Sequence, residues 1–161
     1  MAEEQAGGAQ QRPEQQFTMQ KIYTKDLSFE SPVTPAVFTQ QWQPKLSVDL
    51  NTRSGSIDEE GNFEVVLSIT VTAKMDEETA FLIEVHQAGI FLVRGFQPEE
   101  LKRILGTAAP NVLFPYAREA IDAICIKGGF PPLMLAPVNF EAVYQQAQAQ
   151  AQAGAGETAS H

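Results

Sequence analysis

From Phe63 to Thr72 the chain changes character at almost every step, with Phe63, Val65, Leu67, Ile69 and Val71 alternating with Glu64, Val66, Ser68, Thr70 and Thr72. A helix would scatter such a run around its circumference, whereas an extended strand gathers all five apolar residues on one side. The same period of two recurs in three other places. Leu46, Val48 and Leu50 alternate with Lys45, Ser47, Asp49 and Asn51, and Phe81, Ile83, Val85 and Gln87 alternate with Leu82, Glu84, His86 and Ala88. Earlier in the chain Tyr23, Leu27 and Phe29 fall on one face, and Thr24, Asp26, Ser28 and Glu30 on the other. The second, third and fourth of these strands are joined by Asp58-Glu59-Glu60-Gly61-Asn62 and Asp76-Glu77-Glu78, polar turns too short for a crossover. Their pairing is therefore antiparallel.

The connection after the first strand is of another kind. Ser31 to Pro44 holds Phe38, Trp42 and three prolines. A loop of that length inside a compact domain is unusual without a task, and this one must carry the chain from one place on the sheet to another. Helices follow the strands, so the fold class is α+β. Pro98 suits a first helical position, Glu99 and Glu100 favour the positive helix start, and Gly106 can end the segment. A longer helix begins at Pro110 or Pro115 and stops at Gly128-Gly129, with Ala117, Ala120, Ile121 and Ile124 on one stripe. A proline at 115 is expected to kink a helix begun at 110. Asn139 can cap a third helix that aligns Phe140, Val143, Tyr144 and Ala147.

With 161 residues the chain has room for one core. Residues 1–16 are rich in Gln, Glu, Ala and Gly and lack the bulky apolar groups that offset ordering entropy, so a disordered N-terminal arm is expected there. Residues 145–161 form an Ala/Gln-rich tail, able to continue a helix for a turn or two before Gly154 and Gly156 release it. The folded domain is then 17–144. A formal charge of -9 disfavours nucleic acid and anionic lipid and favours a basic partner. The opening Met1-Ala-Glu-Glu has no signal-peptide pattern, no run is long enough to span a membrane, and Cys125 is the single cysteine, all of which suit a cytoplasmic setting.

No catalytic grouping is visible. The two histidines, His86 and His161, have no partners at metal-ligand spacing, so no metal and no other cofactor is expected. Cys125 sits on an apolar helix stripe, where burial deactivates a thiol. Gly128-Gly129 precedes Phe130-Pro131-Pro132 and not the Lys and Ser or Thr of a phosphate loop. Glu59-Glu60 and Glu77-Glu78 read as solvated turns, because nothing in the sequence buries them as acid-base work requires. What stands out between Ala108 and Tyr144 is apolar and aromatic surface cut into short pieces by prolines, as befits a protein that offers greasy surface to a partner. The chain is expected not to be an enzyme.

Four stretches resemble the SecB family of bacterial protein-export chaperones: Ile22 to Glu30, Phe38 to Pro44, Glu78 to Leu82, and Asn111-Val-Leu-Phe-Pro-Tyr-Ala-Arg-Glu119 together with Leu135-Ala-Pro-Val-Asn-Phe140. The likeness runs over about residues 17 to 144. It implies a four-stranded antiparallel sheet with helices packed at one side, assembled as a homotetramer from two dimers. The function it implies is an ATP-independent holdase that keeps unfolded preproteins competent for translocation and delivers them to the motor ATPase SecA. Family peptide grooves lie between the crossover loop and the long helix, which nominates Phe38, Trp42, Phe114 and Tyr116 as lining residues, with core packing as the competing reading. The family's SecA-binding surface maps onto Asp26, Glu30, Leu82 and Glu84, with a solvated sheet face as the competing reading, and its subunit-assembly positions onto Ile83 and Val85, with buried core as theirs. The tail after Tyr144 carries no residue-level assignment. Two rival functions are a SecB-like chaperone serving a toxin-antitoxin system and a domain that holds an apolar small ligand.

Overall fold

The computed structural model describes residues 14–157. Four strands, β1 (Gln16–Glu30), β2 (Lys45–Ser56), β3 (Asn62–Met75) and β4 (Glu78–Arg94), precede three helices, α1 (Pro98–Gly106), α2 (Ala108–Lys127) and α3 (Phe140–Glu157). The strands form one antiparallel sheet in the order β1-β4-β3-β2. Hairpins join β2 to β3 and β3 to β4, as the short polar turns require. In the first turn Asp58 Oδ1 accepts the backbone N–H groups of Glu60 and Asn62, at 2.9 and 3.2 Å, and Gly61 takes a positive φ of 97°. The segment after β1 must then pass from one edge of the sheet to the other, a width of about 14 Å at the usual strand spacing. It does so as an irregular crossover with a single 3-10 turn, Ala36–Thr39, pinned by the Ser31 hydroxyl donating to Ala80 O at 2.8 Å.

The helices lie against one face of the sheet. That face carries Val65, Leu67, Ile69 and Val71 of β3 and Phe81, Ile83, Val85 and Phe91 of β4, all without solvent exposure. Onto them α2 lays Leu113, Ala117, Ile121 and Cys125, residues four apart on one stripe. Gly89 lets the helix close in, since a Cβ there would lie 3.0 Å from Leu113 Cδ2 and 2.9 Å from the Phe91 ring. The opposite face of the sheet carries no helix and shows a row of partly exposed side chains.

Three expectations are corrected. Tyr23 does not share a face with Leu27 and Phe29, because Lys25 is an extra residue between the pairs Thr24↔Gln87 and Asp26↔His86. One inserted residue reverses the alternation, so Tyr23 points to the open face and donates its hydroxyl to Glu64. The long helix begins at Ala108 and continues through Pro115. Pro110 falls in its first turn, where no N–H is needed, and Pro115 leaves only one helical hydrogen bond unmade. The third helix, capped as expected by Asn139 Oδ1 accepting Ala142 N–H at 3.1 Å, runs on to Glu157 instead of ending a turn or two after Tyr144. Its run of Ala and Gln carries it past Gly154 and Gly156. The expected N-terminal arm lies outside the described residues except for positions 14–16, and Gln16 is already part of β1.

Candidate functional site

Two surfaces on opposite sides of the sheet stand out. The first begins at the end of α2. Gly128 closes the helix and Gly129, at φ 87°, turns the chain back so that Phe130 N–H reaches Cys125 O at 2.9 Å and Gly129 N–H reaches Ile126 O at 3.1 Å. That pair of bonds returns Phe130 to the protein, 5 % exposed, under the crossover. Its ring lies 5.0 Å from Phe81, 5.1 Å from Trp42, 5.2 Å from Phe38 and 6.3 Å from Phe29. Trp42 stacks on Phe81 at 6.0 Å, and Phe29 does so at 6.1 Å. Centroid distances of this order are favourable for aromatic pairs. A side chain at Gly128 would collide with this cluster, since its Cβ would lie 2.3 Å from the Phe29 ring, and one at Gly129 would crowd the Phe38 ring at 3.0 Å.

The cluster grades from closed to open. Phe81 is fully buried, Trp42 is half-buried, and Phe38 is 50 % exposed at the rim. Beside it the helix-side face of β2 carries Leu46 and Val48, in register with Ala73 and Val71. They face the same side as the core yet are 46 % and 42 % exposed, because α1 and α3 cover this edge strand only from Leu50 onward. Open apolar surface thus continues from the aromatic rim along β2.

Phe38 and Trp42 are brought together as expected, but Phe114 and Tyr116 are not part of this group. Phe114 is 5 % exposed, packs against Phe140 at 6.0 Å and has the Arg118 guanidinium 5.5 Å above its ring. It stands roughly 16 Å along the helix from Cys125, at 1.5 Å rise per residue. Tyr116 is exposed beside Ile22, Tyr23, Thr24, Gln87, Glu119 and Ala120, on the flank of α2 that looks toward β1. For Phe114 the competing reading of core packing is the one observed. Phe130, Phe81 and Phe29 were missed as members of the cluster. Their clue was the Gly-Gly-Phe sequence at the helix stop, since a glycine-based helix end commonly returns an apolar residue to the core.

The second surface is the uncovered face of the sheet. Register places Asp26 opposite His86, Ser28 opposite Glu84 and Glu30 opposite Leu82. With the Lys25 irregularity behind them, Asp26 and Glu30 share the open face with Leu82 and Glu84, so all four nominated residues meet on one patch. Further along the same face Glu64 accepts hydrogen bonds from Lys25 Nζ, at 2.8 Å, and from the Tyr23 hydroxyl. The Lys25 ammonium and the Tyr23 hydroxyl hold the Glu64 carboxyl below its usual range. Burial first, and then the Glu64 carboxylate, push the Tyr23 phenol up to about 12.

Ile83 and Val85 face the other way. Both are fully buried beneath α2 within their own chain and pack in the core, so a part in subunit assembly would act through the fold and not through direct contact of these side chains. Cys125 is also enclosed, and desolvation raises its thiol to about 11, the opposite of what a nucleophile needs. Among the described residues no three His, Cys, Asp or Glu side chains gather as a metal cage, and no helix is long and apolar enough to cross a membrane.

A sheet with an aromatic cluster on its covered face and a patch of carboxylates on its bare one can be compared with known proteins. The family model described as "Preprotein translocase subunit SecB" matches residues 10–151. The chain belongs to the SecB family. It is 53 % identical to the protein-export protein SecB of Methylococcus capsulatus over 84 % of this chain and 87 % of that one. It is likewise 53 % identical to the SecB of Marinobacter nauticus, over 91 % and 89 %, and 51 % identical to that of Pseudomonas aeruginosa, over 91 % and 90 %. Its function is accordingly that of a SecB chaperone in protein export. The fold also matches a solved SecB-like chaperone of Mycobacterium tuberculosis, in complex with a peptide from an antitoxin, at TM-score 0.61 and 19 % identity over 76 % of this chain and 90 % of that one.

Proposed function

We propose that this SecB family member is an ATP-independent holdase of the cytoplasm that captures unfolded preproteins on its aromatic surface and presents them to SecA through its open sheet face. The observation that carries this reading is the half-exposed end of an otherwise packed aromatic cluster, Phe38 over Phe130 and Trp42, which continues into Leu46 and Val48. An extended client segment laid along it would bury its own apolar side chains against these residues. Each fully buried client side chain contributes about 1.5 to 3 kcal/mol before ordering costs, so a single contact is weak. Several such surfaces on a homotetramer would raise avidity by roughly 10² to 10⁴ fold for a client long enough to span them. Selectivity for unfolded chain then needs no chemical step, because binding only the unfolded state retards folding by mass action.

On the other face Asp26, Glu30 and Glu84 offer negative charge around Leu82, which suits a basic partner surface such as a docking segment of SecA. Charge complementarity of this kind speeds encounter and weakens with salt. Identities of 51–53 % to export proteins, against 19 % to the antitoxin-bound chaperone, favour export over service to a toxin-antitoxin pair. The test joins native mass measurement to refolding. A tetramer that gains the mass of a denatured precursor and slows its refolding is expected. A monomer, or refolding no slower than with an inert protein, would overturn the reading.

A further inference from the structure

On the open face the His86 ring is bonded through both of its nitrogens. His86 of β4 stands in register between Asp26 of β1 and Ser68 of β3, and Asn51 of β2 completes the row. Its Nδ1 lies 2.7 Å from Ser68 Oγ and its Nε2 lies 2.9 Å from Glu84 Oε1. The His86 side chain is 23 % exposed, against 47 % for Glu84. A carboxylate can only accept, so neutral His86 carries its proton on Nε2 and donates it to Glu84, while Nδ1 accepts from the Ser68 hydroxyl. The ring is thus oriented from one side by Ser68 and in turn fixes the Glu84 carboxylate. The trio does not make a hydrolytic site. Ser68 lies in an inner strand paired on both sides, which leaves no spare backbone N–H beside it to receive an oxyanion.

We infer that His86, held by Ser68, is a positioning residue for Glu84 that makes the docking of a basic partner surface depend on pH; this rests on the docking role proposed for the open face. The charged groups around the ring decide the sign. Asp26 faces it from β1, Glu84 flanks it on β4, and Glu30 lies further along the same patch. On β1 Lys25 is the nearby cation, and it is engaged with Glu64 of β3 at 2.8 Å. Asp49 and Arg53 of β2 stand one row to either side of Asn51 on that face, and Arg53 acts on Glu64. With His86 neutral, the patch presents three uncompensated carboxylates to a partner. A proton on His86 turns the bond to Glu84 into an ion pair and cancels one of the three charges. Docking therefore weakens as pH falls.

The experiment titrates the full chain with SecA at constant ionic strength from about pH 8 to about pH 6, the span in which imidazole changes charge. For one exposed charge pair, affinity is expected to fall about two- to fivefold over that span. His86→Gln, which keeps an N–H for Glu84 but cannot take a proton, should be nearly flat. Equal pH slopes for the two proteins overturn the inference. The triple variant Asp26→Asn, Glu30→Gln, Glu84→Gln separates the two levels. If it loses SecA while His86→Gln keeps the native slope, the docking face stands and the role of His86 falls; if it binds SecA like the native chain, both fall. Imidazole ¹⁵N shifts of the free protein at high pH give a check that needs no partner. A proton on Nε2 is expected, and a proton on Nδ1 would overturn the positioning of Glu84.

Discussion

The two faces of this sheet are built from the same strands and differ in what happens to a side chain placed on them. On the covered face β4 contributes Phe81, Ile83 and Val85, all without exposure, and β3 contributes Val65, Leu67, Ile69 and Val71. On the bare face the intervening residues Leu82, Glu84 and His86 pair with Glu30, Ser28 and Asp26, in that order, and remain partly in water. Free energy of folding is concentrated on the first face, and the second is the one proposed to meet a partner. The aromatic cluster lies where the covered face runs out, so it belongs partly to each: Phe81 supports the fold, while Phe38 is left available.

The largest difference between the faces is expected at Phe81. Phe81→Ala should cost about 3 to 5 kcal/mol in denaturant unfolding, as large core truncations do, whereas Thr70→Ala on the bare face should stay within about 0.5 kcal/mol. Similar losses at the two positions would mean that the faces are not energetically distinct. Next in size is the carboxylate patch. Neutralising Asp26, Glu30 and Glu84 together should weaken SecA binding by about tenfold at low salt, flatten its salt dependence, and leave capture of an unfolded client unchanged. If client capture fell in parallel, the division of labour between the faces would be wrong.

Phe38 sharpens the boundary between the regions. Because its ring is half exposed, Phe38→Ala should lower stability by about 1 kcal/mol or less, yet reduce client affinity by about fivefold in a titration with a denatured precursor. Trp42 is a less clean probe, since its ring rests on both Phe81 and Phe130 and truncation would disturb the floor as well. The smallest effect is expected at Tyr23. Its phenol is raised from 10.0 to about 12 in the folded protein, so its contribution is fully present below about pH 10 and is lost as pH rises through about 12. Tyr23→Phe should therefore be less stable by about 1 kcal/mol near neutrality, with the gap closing at strongly alkaline pH. A gap that persists there would show that the hydrogen bond to Glu64 is not its origin.

Much of this was readable from alternation. A period of two over β3 and β4 fixes which residues share a face whatever the fold does elsewhere, and it put Leu82 with Glu84 and Ile83 with Val85 correctly. It misled at Tyr23, because a single unpaired residue, Lys25, shifts the phase and has no signature in the sequence. The resemblance nominates Phe114 and Tyr116 through a groove between the crossover loop and the long helix, but position along α2 decides their neighbours. Phe114 is turned to Phe140, and Tyr116 to the β1 side. Leu46 and Val48 read as one side of a half-buried strand. Their exposure depends on how far the helices extend over the edge, which no local pattern contains.

Local spacing was enough for the strands and helices and for the faces of β2, β3 and β4, because backbone geometry converts spacing into direction and short turns leave only antiparallel pairing. Long-range packing set which of those faces is covered, where the covering ends, and that Phe29, Phe81 and Phe130 meet Phe38 and Trp42 at that limit. The reason is physical: burial and contact depend on residues far apart in the chain, brought together by the crossover and by the turn after α2.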